Sequence, residues 1–153
     1  MPKELARVMD RYDALRKQVN PLLSQLQDHT NDFVIMRDGV WIMADELAKR
    51  LKELKVPNAA DPKAAKDPQV QNVLDDLEKY KTLMGDRDSQ MREVAKKLTA
   101  VHTELVKLEK DVAAVIKAKS GFFTRSKSLP QLKALSVSLH KFADDVETAA
   151  SSI

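Results

Sequence analysis

The sequence contains no cysteine and only three glycines among its 153 residues. The lack of cysteine excludes disulfides, zinc–thiolate sites and a catalytic thiol. Scarce glycine, together with only 5% aromatic residues, is typical of long helices rather than of β-sheet. With 43% hydrophobic and 32% charged residues, the chain is too apolar for a disordered protein and too charged for a membrane span.

Long apolar runs are missing as well. No run approaches the ~20 residues that a bilayer-spanning helix needs, and the first residues, "MPKELARVMDRYDAL", lack the apolar core of a signal peptide. We therefore expect a cytoplasmic protein whose association with membranes is at most peripheral.

Heptad patterns dominate what is present. Starting at Leu5 and stepping alternately by three and four residues, thirteen of the fifteen positions up to Leu54 are apolar. A second pattern, from Val70 to Lys119, has the same proportion, and a shorter third pattern covers 132–153. Apolar seams of this length are typical of helices that pack as coiled coils.

These seams predict an all-α fold in a single domain of residues 1–153. Helices are expected at about 3–55, 68–119 and 129–152. The short linker between the first two predicts an elongated antiparallel helical hairpin, and the shorter third helix completes a three-helix bundle or coiled coil at one end.

Helix ends are marked by capping residues and prolines. The segment 56–69 contains three prolines, and Asp67 followed by a proline is a helix-start signal. Ser128 and Gln131 form an S-x-x-Q capping box for the third helix. Pro21 lies inside the first seam, which keeps its phase, so we expect a kink there rather than a break.

The two glycines of the long helices fall at one level in the expected register. Closing the hairpin with Leu54 opposite Val70 places Gly39 opposite Gly85. This coincidence favours a shared bend or hinge. The alternative is two tolerated helix glycines, each costing ~1 kcal/mol relative to alanine.

Residues 29–95 are expected to form a bare two-helix hairpin, because the third helix is too short to cover them. This half carries apolar residues off the seam, which two helices cannot bury. A large exposed apolar patch usually marks an interface. We therefore expect a homodimer through this half, with folding of the hairpin onto itself at the glycines as the alternative. The interface residues are Phe33, Val34, Ile35, Trp41 and Ile42.

Positive charge is concentrated in the stretch "KAKSGFFTRSKSLPQLK", residues 117–133, which holds five cations and no acid. Each cation near an anionic leaflet is worth roughly 1 kcal/mol. The stretch predicts a site for anionic lipid or an acidic partner; the alternative is that its two phenylalanines close the end of the three-helix core. The residues of this site are Lys117, Lys119, Phe122, Phe123, Arg125, Lys127 and Lys133.

Motifs for catalysis and metal binding are absent from the sequence. The three histidines do not cluster in the expected register, and neither an HExxH motif nor a glycine-rich phosphate loop occurs. We expect no enzyme activity, no metal and no cofactor. A net charge of +3 without a recognition motif gives no expectation of nucleic-acid binding. The motif "RSKSLP" makes Ser128 a candidate phosphosite.

Two stretches, "FVIMRDGVWIMADELAKRLKEL" (33–54) and "LVKLEKDVAAVIKAKSGFFTRSK" (105–127), resemble the ends of the first and second helices of sorting-nexin-type BAR domains. The resemblance implies three antiparallel helices, a homodimer and a basic membrane-binding surface, although the third helix here is shorter than is usual in that family. The expected function is a non-enzymatic dimeric helical module that binds anionic membrane surfaces peripherally. The alternative is a coiled-coil adaptor or complex subunit that binds partner helices without lipid affinity.

Overall fold

The computed structural model describes residues 3–120 and 129–152, and these residues form helices and short connections without any strand. The three long helices begin and end within one residue of the limits expected from the heptad seams. A single turn of helix in the first linker was not predicted. The helices are α1 (Lys3–Leu54), α2 (Pro62–Ala65), α3 (Pro68–Lys119) and α4 (Leu129–Ser151).

The chain divides into two compact units. The first, here called the three-helix unit, consists of Met1–Leu26 and Arg92–Ile153, and the second, the hairpin unit, is Gln27–Met91. The division lies close to the predicted limits of the bare hairpin. The all-α hairpin with a shorter third helix is thereby confirmed, while the assignment of one domain stays a prediction.

The core of the three-helix unit is built from the seam residues. Six consecutive seam positions of α3 are buried, and α1 and α4 bury their own seam residues against them. Full burial of a leucine or valine side chain contributes about 1.5–3 kcal/mol, so this unit has a continuous apolar core. Its members include Leu5, Val8 and Val19 of α1, Val94, Leu98, Val101, Leu105, Leu108 and Val112 of α3, and Leu132, Leu139 and Val146 of α4.

Cross-helix contacts confirm that α4 packs antiparallel to α3. His140 of α4 contacts Glu109, and His102 of α3 contacts Glu147. On the α1 side of the unit, the rings of Tyr12 and Phe142 meet edge to face, with 5.8 Å between their centroids.

The hairpin unit has almost no fully buried side chains. Within Gln27–Met91, only Ala64, Asp67, Val70 and Met91 are buried, and every α1 residue of this unit is at least partly exposed. Two helices cover only one face of each other, so the seam residues between them are half-buried.

The ends of the helices follow local capping rules. Lys55 adopts a left-handed φ of 58°, and the Val56 amide donates to the Leu51 carbonyl at 3.1 Å, which ends α1 in a Schellman motif. The predicted cap of α3 is confirmed, because the Asp67 Oδ1 accepts from the Gln69 amide at 2.8 Å. The capping box predicted at Ser128 lies outside the described residues.

The expected pairing of Gly39 with Gly85 is wrong. A Cβ at Gly39 would lie 3.0 Å from Cε1 of Tyr80, whereas a Cβ at Gly85 would meet nothing within 4 Å. The missing side chain of Gly39 leaves room for the Tyr80 ring, which packs at this position instead of Gly85. Both helices run unbroken through the glycines, and α1 also runs through Pro21. The hinge stays a hypothesis.

Candidate interaction surfaces

Four of the five residues predicted as interface anchors lie together on one face of α1, which we call the α1 stripe: Val34, Ile35, Trp41 and Ile42. Ile35, Trp41 and Ile42 are 68%, 59% and 57% exposed, and Val34 is 36% exposed. Their spacing of seven residues places them on one face of the helix, opposite the seam. Phe33, the fifth predicted anchor, occupies a seam position and is half-buried.

Arg37 borders the α1 stripe and contacts both Trp41 and Asp38. Its guanidinium carbon lies 4.8 Å from the centroid of the Trp41 ring, a cation–π contact. Its Nη2 lies 3.5 Å from Oδ1 of Asp38. The large apolar ring is therefore held against the helix surface by a charged neighbour while most of it faces solvent.

Polar residues that interrupt the seams form hydrogen bonds or ion pairs with residues of the facing helix. In the hairpin unit, Arg87 lies 3.2 Å from Nδ1 of His29 and 3.3 Å from Oδ2 of Asp32. In the three-helix unit, Lys119 at the end of α3 lies 3.2 Å from Glu4 at the start of α1. Polar pairs within a seam specify register at some cost in stability. Sequence reasoning missed these pairs, although a polar residue at a seam position was the signal.

Arg50 and Asp67 form the least exposed of these pairs. Nη2 of Arg50 lies 2.6 Å from Oδ2 of Asp67, and Asp67 is only 7% exposed. Burial raises the pKa of Asp67, but the hydrogen bonds from Arg50 and from the Gln69 amide outweigh it, so that this pKa lies below its usual value. The hydrogen bonds to Asp67 and then to Glu53 raise the pKa of Arg50. One carboxylate thus caps α3 and ties it to α1.

The predicted basic site is only partly covered by the described residues. Lys117, in the last turn of α3, and Lys133, in the first turns of α4, are exposed. Lys119 is half-buried and paired with Glu4, which reduces its availability for another anion. The remaining residues of the site, Phe122, Phe123, Arg125 and Lys127, lie outside the described residues, as does the candidate phosphosite Ser128.

Histidine–carboxylate contacts join α3 and α4. Nδ1 of His140 lies 3.2 Å from Oε2 of Glu109, and its Nε2 lies 3.5 Å from Oδ2 of Asp144. The hydrogen bond to Glu109, followed by the charges of Asp144 and Glu109, raises the pKa of His140. Across residues 3–120 and 129–152, no group of three or more His, Asp or Glu side chains is arranged to hold a metal ion.

None of the helices in the described part of the chain is long and apolar enough to cross a bilayer. Comparison of the chain with protein-family models, with curated proteins and with solved structures finds no match.

Proposed function

We propose that the protein is a non-catalytic helical module that works by assembly, with the α1 stripe as the contact surface for a second copy of the chain. The observation that supports this proposal is the exposure of Ile35, Trp41 and Ile42 on the face of α1 opposite the seam. A helix that is apolar on both faces needs two partners, and α3 supplies only one of them.

The size of the stripe fits a reversible dimer. Burial of a large apolar side chain contributes about 1.5–3 kcal/mol, and Trp41 belongs to the residue type most enriched among interface hot spots. Association itself costs several kcal/mol of lost freedom. We therefore expect a dissociation constant on the order of micromolar.

Sedimentation velocity over a concentration series tests the dimer. Trp41→Ala and Ile35→Ser are expected to shift the dissociation constant upward by about tenfold or more, because they remove apolar area from the centre of the contact. Val137→Ser is the matched control, since Val137 is a 72% exposed apolar residue of α4 outside the stripe. A wild-type protein that stays monomeric at high micromolar concentration contradicts the proposal and leaves an adaptor for another protein's helix as the alternative.

A second candidate function is peripheral binding to anionic membranes. It is favoured by the exposed Lys117 and Lys133, which lie in the acid-free stretch between Asp111 and Asp144. Doubling these cations in a dimer strengthens attachment without insertion, since each cation contributes roughly 1 kcal/mol at an anionic leaflet. Together, the dimer and this basic end would make the BAR-like module that the sequence resembles.

Co-sedimentation with vesicles, with and without phosphatidylserine, tests the membrane function. Replacing Lys117, Arg125, Lys127 and Lys133 with glutamate is expected to abolish binding to the anionic vesicles at low salt, with little change in melting temperature, because this set leaves the pair of Lys119 and Glu4 intact. The control carries the same charge change at four exposed lysines elsewhere, Lys79, Lys81, Lys96 and Lys97, and is expected to retain most of the binding. If the wild-type protein does not bind anionic vesicles at low salt, the membrane function is contradicted and the assembly function is unaffected.

A further inference from the structure

We propose that the second copy packs antiparallel on the α1 stripe, with the two-fold axis of the dimer at Asp38. This inference rests on the proposed dimer and adds its register and its central residue. The outer face of α1 has the same pattern in both directions from Asp38. Ile35 and Trp41 lie three residues to either side, and Val34 and Ile42 lie four residues to either side.

A two-fold interface must be complementary to itself, because residue i contacts j wherever j contacts i. With the axis at Asp38, Ile35 packs against the partner's Trp41, and Val34 packs against the partner's Ile42. All four apolar side chains of the α1 stripe then meet apolar side chains.

Neighbouring antiparallel registers lose this match. Moving the axis two residues toward the C-terminus places Ile35 against the partner's Asp45 and Asp38 against the partner's Ile42. Moving it two residues toward the N-terminus places Val34 against the partner's Asp38. Each of these registers buries a carboxylate against an apolar side chain, which is unfavourable without a hydrogen-bond partner.

The flanking polar residues distinguish the antiparallel pair from a parallel one. In the antiparallel register, Asp45 faces the partner's Asn31, and Lys49 faces the partner's Gln27. The Oδ1 of Asn31 accepts from Nε2 of Gln27 at 2.9 Å, which directs the acceptor of Asn31 to its own helix and leaves its amide hydrogens for the partner's Asp45. A parallel pair would instead place Asp45 against Asp45 and Lys49 against Lys49, and like charges directly opposite each other are destabilising.

Asp38 is the one residue that meets its own copy, so its charge weakens the dimer at its centre. Arg37, 3.5 Å from the Asp38 carboxylate and 4.8 Å from the Trp41 ring, offsets part of this repulsion. A cation placed at position 38 of one copy is therefore expected to pair with Asp38 of the other copy.

A charge swap at position 38 tests the axis. Asp38→Asn removes the repulsion and is expected to tighten wild-type self-association about tenfold in sedimentation equilibrium. Asp38→Lys is expected to self-associate no more tightly than the wild type. An equimolar mixture of wild-type protein and the Asp38→Lys variant is expected to form a heterodimer at least tenfold tighter than either homodimer. Asp86→Lys, the same change at an exposed acid of α3, is the control and is expected to show no such preference.

Cysteine cross-linking tests the same axis independently, since the native chain contains no cysteine. Helices packed 8–10 Å apart bring facing Cα atoms to about 3.5–5.5 Å, which overlaps the range of Cα separations in disulfides. Asp38→Cys is therefore expected to form a covalent dimer under mild oxidation. Asp45→Cys is the control, because two copies of position 45 would be separated by about 21 Å along the antiparallel pair.

The outcomes separate this inference from the dimer itself. A wild-type dimer that shows neither the heterodimer preference nor a position-38 cross-link overturns the axis at Asp38 and leaves the proposed function standing. A cross-link at position 45 overturns the antiparallel arrangement. A wild-type chain that does not self-associate at all overturns both.

Discussion

Separate replacement of Gly39 and Gly85 by alanine measures how closely Tyr80 packs against α1. Both glycines lie inside long helices, where glycine costs about 1 kcal/mol relative to alanine. Their surroundings differ: an added Cβ at Gly85 meets open space, whereas at Gly39 it lies 3.0 Å from Cε1 and 3.1 Å from Cζ of Tyr80. The same chemical change is therefore made in open space at Gly85 and in a close contact at Gly39.

The expected changes in the free energy of unfolding follow from this difference. Gly85→Ala is expected to stabilise the protein by about 1 kcal/mol, or about 2–4 °C in melting temperature. Gly39→Ala has the same gain in helix propensity, but the Tyr80 ring must move away from a contact shorter than the usual 3.5–4.0 Å between carbon atoms. Overpacking of this kind costs about 1–3 kcal/mol, so the net change is expected to range from none to about 2 kcal/mol of destabilisation.

Urea denaturation monitored by Trp41 fluorescence is a suitable assay, because the only tryptophan lies in the hairpin unit with both glycines. Far-ultraviolet circular dichroism of the same samples shows whether the whole chain unfolds in the same transition. In a double-mutant cycle, Tyr80→Ala is expected to relieve the penalty of Gly39→Ala, with a coupling of about 1–3 kcal/mol. Equal stabilisation by both single substitutions would refute the close packing of Tyr80 on Gly39.

Substitutions at three further positions test individual contacts. Lys55→Gly is expected to raise the unfolding free energy by about 0.5–1 kcal/mol in urea denaturation, because glycine adopts the left-handed conformation of residue 55 without steric cost. Asp67→Asn keeps the cap of α3 but loses the charge facing Arg50, and Asp67→Ala loses both. The melting temperature should therefore be highest for the wild type, lower for Asp67→Asn and lowest for Asp67→Ala. The raised pKa of His140 beside Glu109 adds stability that is complete below the ordinary pKa of 6.5 and lost as pH rises through the folded value. His140→Gln should therefore lower the melting temperature at pH 5.5 and have little effect at pH 8.5.

Much of the fold could be predicted from the sequence, because burial in helical bundles follows a period that the residues display. Every seam position of α3 from Val94 to Val112 is buried in the structure. Proline and capping residues predicted the start of α3 at Pro68. The same signal, an aspartate followed by proline, occurs at Asp61 and starts α2, where the Asp61 side chain accepts from the Lys63 amide. That single turn of four residues is too short to show a heptad pattern, so the seams did not predict it.

The register of the hairpin unit could not be predicted from its seam. A heptad pattern looks the same after a displacement of about one turn, so it does not decide which residue faces Gly39. In the structure the Tyr80 ring lies there, against the place where Gly39 has no side chain. The ion pair of Arg50 and Asp67 could not be predicted for a related reason. The long side chain of Arg50 reaches a partner that backbone spacing does not place opposite it.

The interface residues illustrate how far the candidate site could be predicted. The α1 stripe was predictable because apolar residues off a complete seam have no partner within a two-helix hairpin. The apolar character of Phe33 predicts the same role, but Phe33 belongs to the seam and is half-buried. The pairing of Lys119 with Glu4 was also missed, because charge counting along the sequence does not show which cations are matched across helices.

The exposure of Trp41 as a function of protein concentration tests the central claim most directly. The single tryptophan lies in the middle of the α1 stripe and is 59% exposed in the isolated chain. Its emission maximum is predicted to move to shorter wavelength, and its quenching by acrylamide to fall, over the same micromolar range in which sedimentation shows the mass to double. Emission and quenching that stay constant up to high micromolar concentration would contradict the α1 stripe as the dimer interface.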